Sequence, residues 1–255
     1  MIPLRTAVLV DGAFFLKRWK RVFPHLDHQD PQIAADTLHG MATSHAHKET
    51  PPANLVRMLV YDCPPLQKRI SYPVSKKPYN LEKTKSAIFR NEFHEALKKK
   101  RKTSLRLGRV DDQNYSWRLK LDAQEDLIKN KRHWRTIKDD DFEFTAKQTG
   151  VDMRLGIDIV LMSENKSVDQ IVLIAGDSDF VPAAKHARRN GIDFILDPMW
   201  NHINDDLNEH IDGLRSAATN PSLRKAKLSS ETVSDNSAES PARNDTDSLI
   251  SNEGT

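Results

Sequence analysis

Four aspartates stand where the sequence predicts strand ends or helix starts: Asp11, Asp152, Asp177 and Asp179. The apolar run 7–10 precedes Asp11, and the apolar run 171–175 precedes the Gly-Asp-Ser-Asp-Phe segment 176–180. Each run is typical of a strand that is buried on both faces. Ligands of an open parallel sheet bind beyond the carboxyl ends of its strands. We therefore expect the four carboxylates to lie together at one edge of a sheet.

Carboxylates gathered in this way suit a divalent metal ion. Several ionised acids within ~4–6 Å raise one another's pKa unless a cation lies between them. Mg²⁺ takes one or two carboxylates and keeps positions for water and for phosphate oxygens. Such an ion can activate water and stabilise the leaving oxygen of a phosphodiester. The acids therefore point to metal-dependent hydrolysis.

Each acid also has a purely structural interpretation. An Asp after a strand often forms a turn or caps the helix that follows. Asp11, Asp152 and Asp179 could each be a helix cap, and Asp62, before Cys-Pro-Pro, is more simply a turn residue. The acids carry more weight together, because independent caps need not all fall on one edge of a sheet.

Asp158 lies inside a predicted helix, between Ile157 and Ile159. At ~100° per residue it stands ~120° around the helix from Asp152, so it flanks the apolar face. An unpaired carboxylate there is costly. Two interpretations remain open: Asp158 belongs to the acidic site, or it pairs with a nearby cation such as Arg154.

Strands alternate with helices along the chain, which predicts an α/β fold with a three-layer, Rossmann-like parallel sheet flanked by helices. Strands are expected at 6–10, 55–61, 105–110, 170–175 and 193–196, and helices at 14–23, 31–47, 82–102, 152–163, 180–190 and 204–214. The charged stretch 111–147 is expected to be an excursion, partly helical or hairpin-like. Residues 1–216 would form the domain, and the polar stretch 217–255, which has no aromatic residue, a disordered tail.

Composition narrows the class of protein. The 255 residues carry a net charge of +3, which permits a nucleic-acid partner without requiring one. One cysteine, Cys63, excludes an internal disulfide framework and is expected to be a packing residue. We expect a cytoplasmic protein, since the N-terminus lacks a signal-peptide pattern and no run approaches the ~20 apolar residues of a membrane span.

Three segments carry a resemblance to a known family. They are Ala-Val-Leu-Val-Asp-Gly at 7–12, Thr-Gly-Val-Asp at 149–152 followed by Asp158, and Ile-Ala-Gly-Asp-Ser-Asp-Phe-Val-Pro at 174–182. Together they resemble the NYN domain, a branch of the PIN-like ribonucleases that includes the LabA/DUF88 group. The third segment is nearly the full family signature. The resemblance covers about residues 5–215, and 66–147 match it least.

The resemblance implies a PIN-like sheet and hydrolysis of RNA that depends on Mg²⁺ or Mn²⁺. By position, the catalytic, metal-binding acids would be Asp11, Asp152, Asp177 and Asp179, with Asp158 as a further acid at the metal or behind its ligands. The sequence departs from the family at Phe14, where Asn is frequent, and at Thr149, where Lys is frequent, although Lys147 is close by. Phe14 removes an amide that could orient a metal-bound water or a phosphate.

Basic residues cluster in the middle of the chain, and a site built of carboxylates needs such charge to accept phosphates. The predicted nucleic-acid-binding residues are Lys99, Lys100, Arg101, Lys102, Arg118 and Lys147. Basic side chains neutralise phosphates, and aromatic residues such as Trp117 and Trp134 can stack on unpaired bases. The alternative is a solvated surface with small local cores. His45, His47 and His94 show no metal-ligand spacing and are expected at the surface.

Three functions are compatible with these residues. The first is a metal-dependent ribonuclease, in which activated water attacks a phosphodiester of RNA. The second is an RNA-binding or regulatory module with weak or no catalysis, which Phe14 favours. The third is a phosphatase of the haloacid dehalogenase type, which needs a second Asp two residues after the first, where this chain has Ala13. The sequence leaves open a homo-oligomer and a protein partner for the tail.

Overall fold

The computed structural model describes residues 2–49 and 52–222. Its strands are β1 (Arg5–Asp11), β2 (Asn54–Asp62), β3 (Arg69–Ser71), β4 (Pro78–Asn80), β5 (Thr103–Leu107), β6 (Arg109–Leu119), β7 (Phe142–Thr149), β8 (Gln170–Ile174), β9 (Asp193–Asp197) and β10 (Gly213–Leu214). Its helices are α1 (Gly12–Val22), α2 (Pro31–His47), α3 (Lys85–Lys98), α4 (Leu121–Ile128), α5 (Val151–Glu164), α6 (Val181–Arg189) and α7 (Asp205–Glu209). No described helix is both long and apolar enough to cross a membrane.

Six strands form one sheet in the order β10-β9-β8-β1-β2-β5, and every neighbouring pair is parallel. The predicted α/β sheet is therefore confirmed. β1 and β8 lie at its centre, and residues 7–10 and 171–174 are fully buried, as their unbroken apolar runs indicate. Because all strands run the same way, Asp11, Asp62 and the residues after Ile174 meet at one side, here called the carboxyl edge.

Helices cover both faces of the sheet and enclose two apolar cores. One core lies under α1, α2 and α3 and includes the stacked rings of Phe15, Trp19 and Phe93. The other lies under α5, α6 and α7 and includes Leu155 and Phe194. Successive buried side chains of β1, β2, β8 and β9 alternate between the two cores, as the pleat of a strand requires.

The charged excursion consists of an antiparallel β6–β7 pair with α4 between the two strands. It packs on the small β3–β4 hairpin through an aromatic cluster in which Trp117 contacts Tyr72 and Tyr79, each at 5.6 Å between ring centroids. The base of the pair joins Arg109 to Thr149, directly before α5. The hairpin therefore helps to place the start of α5.

Two predicted helices are shorter than their sequences suggested. The helix expected at 82–102 spans Lys85–Lys98, and the chain turns at Lys102, whose φ is 59°, to enter β5. The helix expected at 204–214 is only Asp205–Glu209, because Gly213 and Leu214 pair with β9 instead. Tertiary pairing overrides local helix preference in both places.

The compact unit formed by the chain spans Met1–Ala218. Ala218 is 8% exposed, and its carbonyl accepts a hydrogen bond from Trp200 Nε1 at 2.8 Å. The stretch predicted to be a disordered tail therefore begins with packed residues. Its larger part, residues 223–255, lies outside the described residues.

A buried His–Asp pair joins α2 to the end of β9. Fully buried Asp197 accepts hydrogen bonds from His45 Nε2 at 2.8 Å, from Met199 N at 2.8 Å and from Ala217 N at 2.9 Å. The prediction of a surface residue was wrong for His45, because a carboxylate partner makes its burial tolerable.

Asp197→Asn tests this network, because it preserves volume but replaces acceptors with an amide that matches the donors poorly. We expect a loss of about 1–3 kcal/mol in the free energy of unfolding, as is typical when buried hydrogen-bond donors lose their acceptor. Urea denaturation measures it. Asp112→Asn, at an exposed position, is the matched control and should change stability by less than about 0.5 kcal/mol. Equal losses in the two variants would contradict the assignment.

Candidate metal centre

Asp11 ends β1 and caps α1. Its Oδ1 accepts a hydrogen bond from Phe14 N at 3.0 Å, as an N-cap residue does, and this leaves Oδ2 available. Strand and helix join without a loop because Gly12 fits closely, since a Cβ there would lie 3.0 Å from Asp62 Cγ. Asp11 is thus a cap and a candidate ligand at once.

Asp177 and Asp179 follow β8 at the carboxyl edge. Asp177 Oδ1 accepts a hydrogen bond from Asp179 N at 3.1 Å, which caps the 3₁₀ helix Ser178–Phe180 that leads into α6. Both side chains are exposed. The other oxygen of Asp177 and the whole carboxylate of Asp179 therefore face solvent.

Asp152 lies in the first turn of α5 and is also exposed. The chain reaches it through Gly150, whose φ of 77° is in the left-handed region that favours glycine. Gly108 packs beside this turn, since a Cβ there would lie 2.8 Å from Thr149 O and 2.8 Å from Val151 Cγ2. Close backbone packing therefore holds the start of α5 against the strand ends.

The four aspartates repel one another. Burial, together with the charges of Asp152 and Asp62, raises the pKa of Asp11 to about 6, against the opposing effect of backbone hydrogen bonds. Burial raises the pKa of Asp152, and the charges of Asp177 and Asp179 raise it further. Asp152 therefore couples the acid of β1 to the two acids after β8, and the carboxyl edge brings all four predicted residues into one electrostatic group.

In the part of the chain that the structure describes, no basic side chain neutralises this group. Among the described residues, none of Asp11, Asp152, Asp177 and Asp179 takes part in a salt bridge. Mutually repelling carboxylates with free oxygens fit a hard divalent cation, which prefers oxygen ligands and removes the repulsion. The residues present therefore fit the metal that the resemblance implies.

Within the described chain, a second group of possible metal ligands, on and next to α7, is more compact than the edge acids. Ligand atoms of Asp206, Glu209 and His210 lie within 4.8 Å of one another, whereas no three of the four edge aspartates do. Asp206 and Glu209 are exposed, and Asp206 already pairs with His210 at 3.4 Å. Like charges without an ion between them separate. The edge acids are therefore the stronger candidate ligands, since none of them has a salt-bridge partner among the described residues.

Asp158, the fifth predicted ligand, has its own partners. Tyr61 Oη donates a hydrogen bond to it at 2.7 Å, and Arg106 Nε lies at 3.4 Å. Six residues along α5 place it about 9 Å below Asp152, away from the carboxyl edge. Arg154 was one partner that the sequence suggested for Asp158. The structure pairs Asp158 instead with Arg106, which lies in β5.

Another acid at the carboxyl edge, Asp62, is buried and paired. His94 Nε2 donates to its Oδ2 at 2.8 Å, and Arg90 Nη1 lies 3.2 Å from its Oδ1. The prediction of a surface residue was wrong for His94, which is 4% exposed. The spacing of residues 90 and 94, one turn apart on α3, was the signal available in the sequence. Beside them, burial raises the pKa of the Cys63 thiol, as suits a packing residue.

Phe14 packs directly on the Gly-Asp-Ser-Asp-Phe segment. A Cβ added to Gly176 would lie 2.5 Å from Phe14 Cε2, closer than real Cβ contacts allow. The ring therefore occupies the space between α1 and the β8 end, where family members often have an amide. The ring therefore leaves no space for a side chain at Gly176.

Four of the predicted nucleic-acid-binding residues lie far from the acids: Lys99, Lys100, Arg101 and Lys102. Lys102 O accepts a hydrogen bond from Met58 N, at the start of β5, whereas the carboxyl end of β5 is Leu107. Five residues at ~3.3 Å separate the two ends by about 16 Å. Lys100 also pairs with Asp36. The basic run therefore cannot supply the positive charge expected beside the acids.

The other two predicted residues, Arg118 and Lys147, lie on the outer face of the β6–β7 pair and line one shallow groove. Trp117 points to the opposite face, where its Nε1 donates to Ser71 O at 3.0 Å, so it is a packing residue. Trp134 is 69% exposed and has no role in the core. Nucleic-acid binding by Arg118 and Lys147 stays a prediction.

Comparison with known proteins supports the family resemblance. Residues 5–214 match the model of the NYN domain, which is most of the chain. The match confirms the resemblance that the three sequence segments indicated. NYN domains have a PIN-like nuclease fold, generally that of metal-dependent ribonucleases. No curated protein and no solved structure shows significant similarity to the chain.

Asp11→Asn tests the uncompensated charge in metal-free protein. Asn preserves the cap but cannot ionise. The folded pKa of Asp11 is about 6 against an ordinary 3.8, so ionisation opposes folding. Between pH 4 and 6 the unfolded chain loses this proton first, and wild-type stability falls as pH rises. In EDTA at pH 7.5 the variant should be more stable by roughly 1–3 kcal/mol.

This advantage should shrink as the pH is lowered through 6 towards 4, and thermal melts across the pH range measure it. Asp112→Asn is the control and should show no such dependence. An Asp11→Asn advantage that is constant with pH, or a loss of stability at pH 7.5, would contradict the electrostatic account.

Gly176→Ala tests the contact with Phe14. The added methyl overlaps the ring, so we expect a loss of about 1–3 kcal/mol in the free energy of unfolding. In a Phe14→Ala background most of this loss should disappear, and denaturant unfolding of both single variants and the double variant gives the coupling energy. Strictly additive effects would show that the ring does not impose the glycine.

Proposed function

We propose that this chain, which belongs to the NYN domain family, is a metal-dependent ribonuclease whose Mg²⁺ or Mn²⁺ centre is held by Asp11, Asp152, Asp177 and Asp179. The observation that carries the proposal is the group of four aspartates at the carboxyl edge, none of which forms a salt bridge among the described residues. Within this group, burial and the neighbouring carboxylates raise the pKa of Asp11 and of Asp152. A nuclease fold and an acidic site that needs a cation point to the same chemistry.

The four acids differ in how many of their oxygens are available to a metal ion. Asp11 and Asp177 each use one oxygen to cap a helix, which orients the other oxygen as a ligand. Asp152 and Asp179 are exposed and accept no hydrogen bond from another described side chain, so they can bind the ion or a water on it. A bound Mg²⁺ or Mn²⁺ supplies Lewis acidity that activates water and stabilises the leaving oxygen of the phosphodiester.

An RNA-binding module with weak or no catalysis is the second candidate, and the packing of Phe14 favours it. The ring fills the space beside Gly176 with carbon, so no amide orients a water there. The carboxylates themselves are all present. The ribonuclease is therefore the better-supported function. Phe14, which replaces an amide that could orient water, is expected to lower its rate.

The test is hydrolysis of single-stranded RNA with Mn²⁺ or Mg²⁺ by wild type and by Asp177→Asn. We expect cleavage that EDTA abolishes and that Asp177→Asn lowers at least about 100-fold, because a ligand and its charge are lost while the cap remains. Product release is followed on denaturing gels.

Asp206→Asn is the matched control, since it removes one acid from the exposed group on α7. It should retain wild-type cleavage. Loss of cleavage in Asp206→Asn but not in Asp177→Asn would move the metal to α7. Binding of RNA without any metal-dependent cleavage would establish the second candidate.

A further inference from the structure

A groove of about 490 Å³ opens between α3, the β3–β4 hairpin and the β6–β7 pair. Its lining includes Pro64, Tyr79, Arg90, Phe144 and Gln148. It is distinct from the acidic site, and none of the six basic residues predicted from the sequence to bind nucleic acid lines it.

The groove leads to the acids. Gln148 lies in its wall, four residues before Asp152, and Thr149 between them packs on Gly108 at the strand ends. On the other wall, Arg90 contacts Asp62, which packs against Gly12 directly after Asp11. Both walls therefore end beside residues of the proposed metal centre.

Arg90 is the one charged residue in the described lining of the groove. Its Nη1 lies 3.2 Å from Asp62 Oδ1, and its side chain is 21% exposed. Asp62 is its partner among the described residues, and the other N–H donors of the guanidinium have no protein acceptor there. A guanidinium held on one side by a buried carboxylate and open on the other is a preorganised site for a phosphate.

Aromatic rings line the same groove at Tyr79 and Phe144. Trp117 holds both in place, with ring centroids 5.6 Å from each. Aromatic faces stack on unpaired bases regardless of sequence. A duplex keeps its bases paired inside and cannot present them to such rings. The combination of one phosphate site and two rings therefore fits a single strand.

Building on the proposed function, we propose that this groove binds single-stranded RNA on its way to the acids, and that Arg90 binds a backbone phosphate next to the metal centre. Arg90 supplies the positive charge that an acidic site lacks and that the basic run 98–102, at the opposite edge, does not provide. It acts as a substrate-binding residue, with Asp62 and His94 positioning it.

A purely structural Arg90 that only neutralises Asp62 makes a different prediction. Each phosphate that a protein neutralises on a single strand contributes about −0.7 to the slope of log K against log salt. A structural residue would alter stability without altering this slope. The salt dependence of RNA binding therefore separates the two roles.

The experiment measures fluorescence anisotropy of a labelled oligouridine in the full-length Asp177→Asn protein with Mg²⁺, so that the RNA stays intact. Arg90→Gln should weaken binding roughly tenfold at low salt and flatten the salt slope by about 0.7. Arg90→Lys retains the charge and should keep the slope. Arg101→Gln, the same change at the opposite edge, should leave both quantities unchanged.

Ser86→Glu is a second variant that does not touch Asp62. Ser86 is exposed, lines the groove and lies one turn before Arg90 on α3, so a negative charge there should repel the strand and weaken binding. This variant keeps the proposal testable if Arg90→Gln does not fold, as thermal melts would show.

The proposal would be overturned if Arg90→Gln kept the wild-type affinity for RNA and the wild-type salt slope while Ser86→Glu also bound RNA normally. It would equally be overturned if Arg101→Gln lost as much affinity as Arg90→Gln. Cleavage of RNA by the wild type in that case would leave the proposed function intact. A wild-type chain that neither binds nor cleaves RNA would overturn both proposals.

Discussion

Repulsion among aspartates at the carboxyl edge is the constraint on which the site depends. A parallel sheet brings strand ends together, and this chain places four carboxylates there that have no salt-bridge partner among the described residues. Such a group destabilises the metal-free fold and becomes favourable only when a cation binds between the charges. Asp62 at the same edge and Asp158 further along α5 differ from the four, because each has an arginine partner.

Close packing holds this repelling group in place. Gly12 lets β1 turn directly into α1, Gly176 admits the ring of Phe14, and Gly108 lets the start of α5 approach β5. Each glycine is required because a Cβ would meet a neighbour at 3.0 Å or less. Caps at Asp11 and Asp177 add hydrogen bonds that fix one oxygen and leave the other free. Close packing and the two caps therefore hold in place carboxylates that repel one another.

Ion pairs with Asp62 and Asp158 fix the positions of two arginines, Arg90 and Arg106. Asp62 holds both His94 and Arg90 on one face of α3, and Arg106 reaches Asp158 from β5. The proposed functions therefore fall to two sets of residues. The proposed metal ligands are the aspartates that have no salt-bridge partner among the described residues, and the proposed phosphate-binding residue is Arg90, whose partner is a buried aspartate.

The sequence by itself determined the alternation of strands and helices and the four edge aspartates, because unbroken apolar runs mark buried strands and strand ends share an edge. The segment 176–180 also identified the family. Only the tertiary structure decided the partners of Asp158, Asp62 and His45. It also showed that residues 99–102 lie at the edge of the sheet opposite the acids. The partners and positions of these residues depend on contacts between residues far apart in the chain, which local pattern and spacing do not predict. A charge acquires its role from what packs against it.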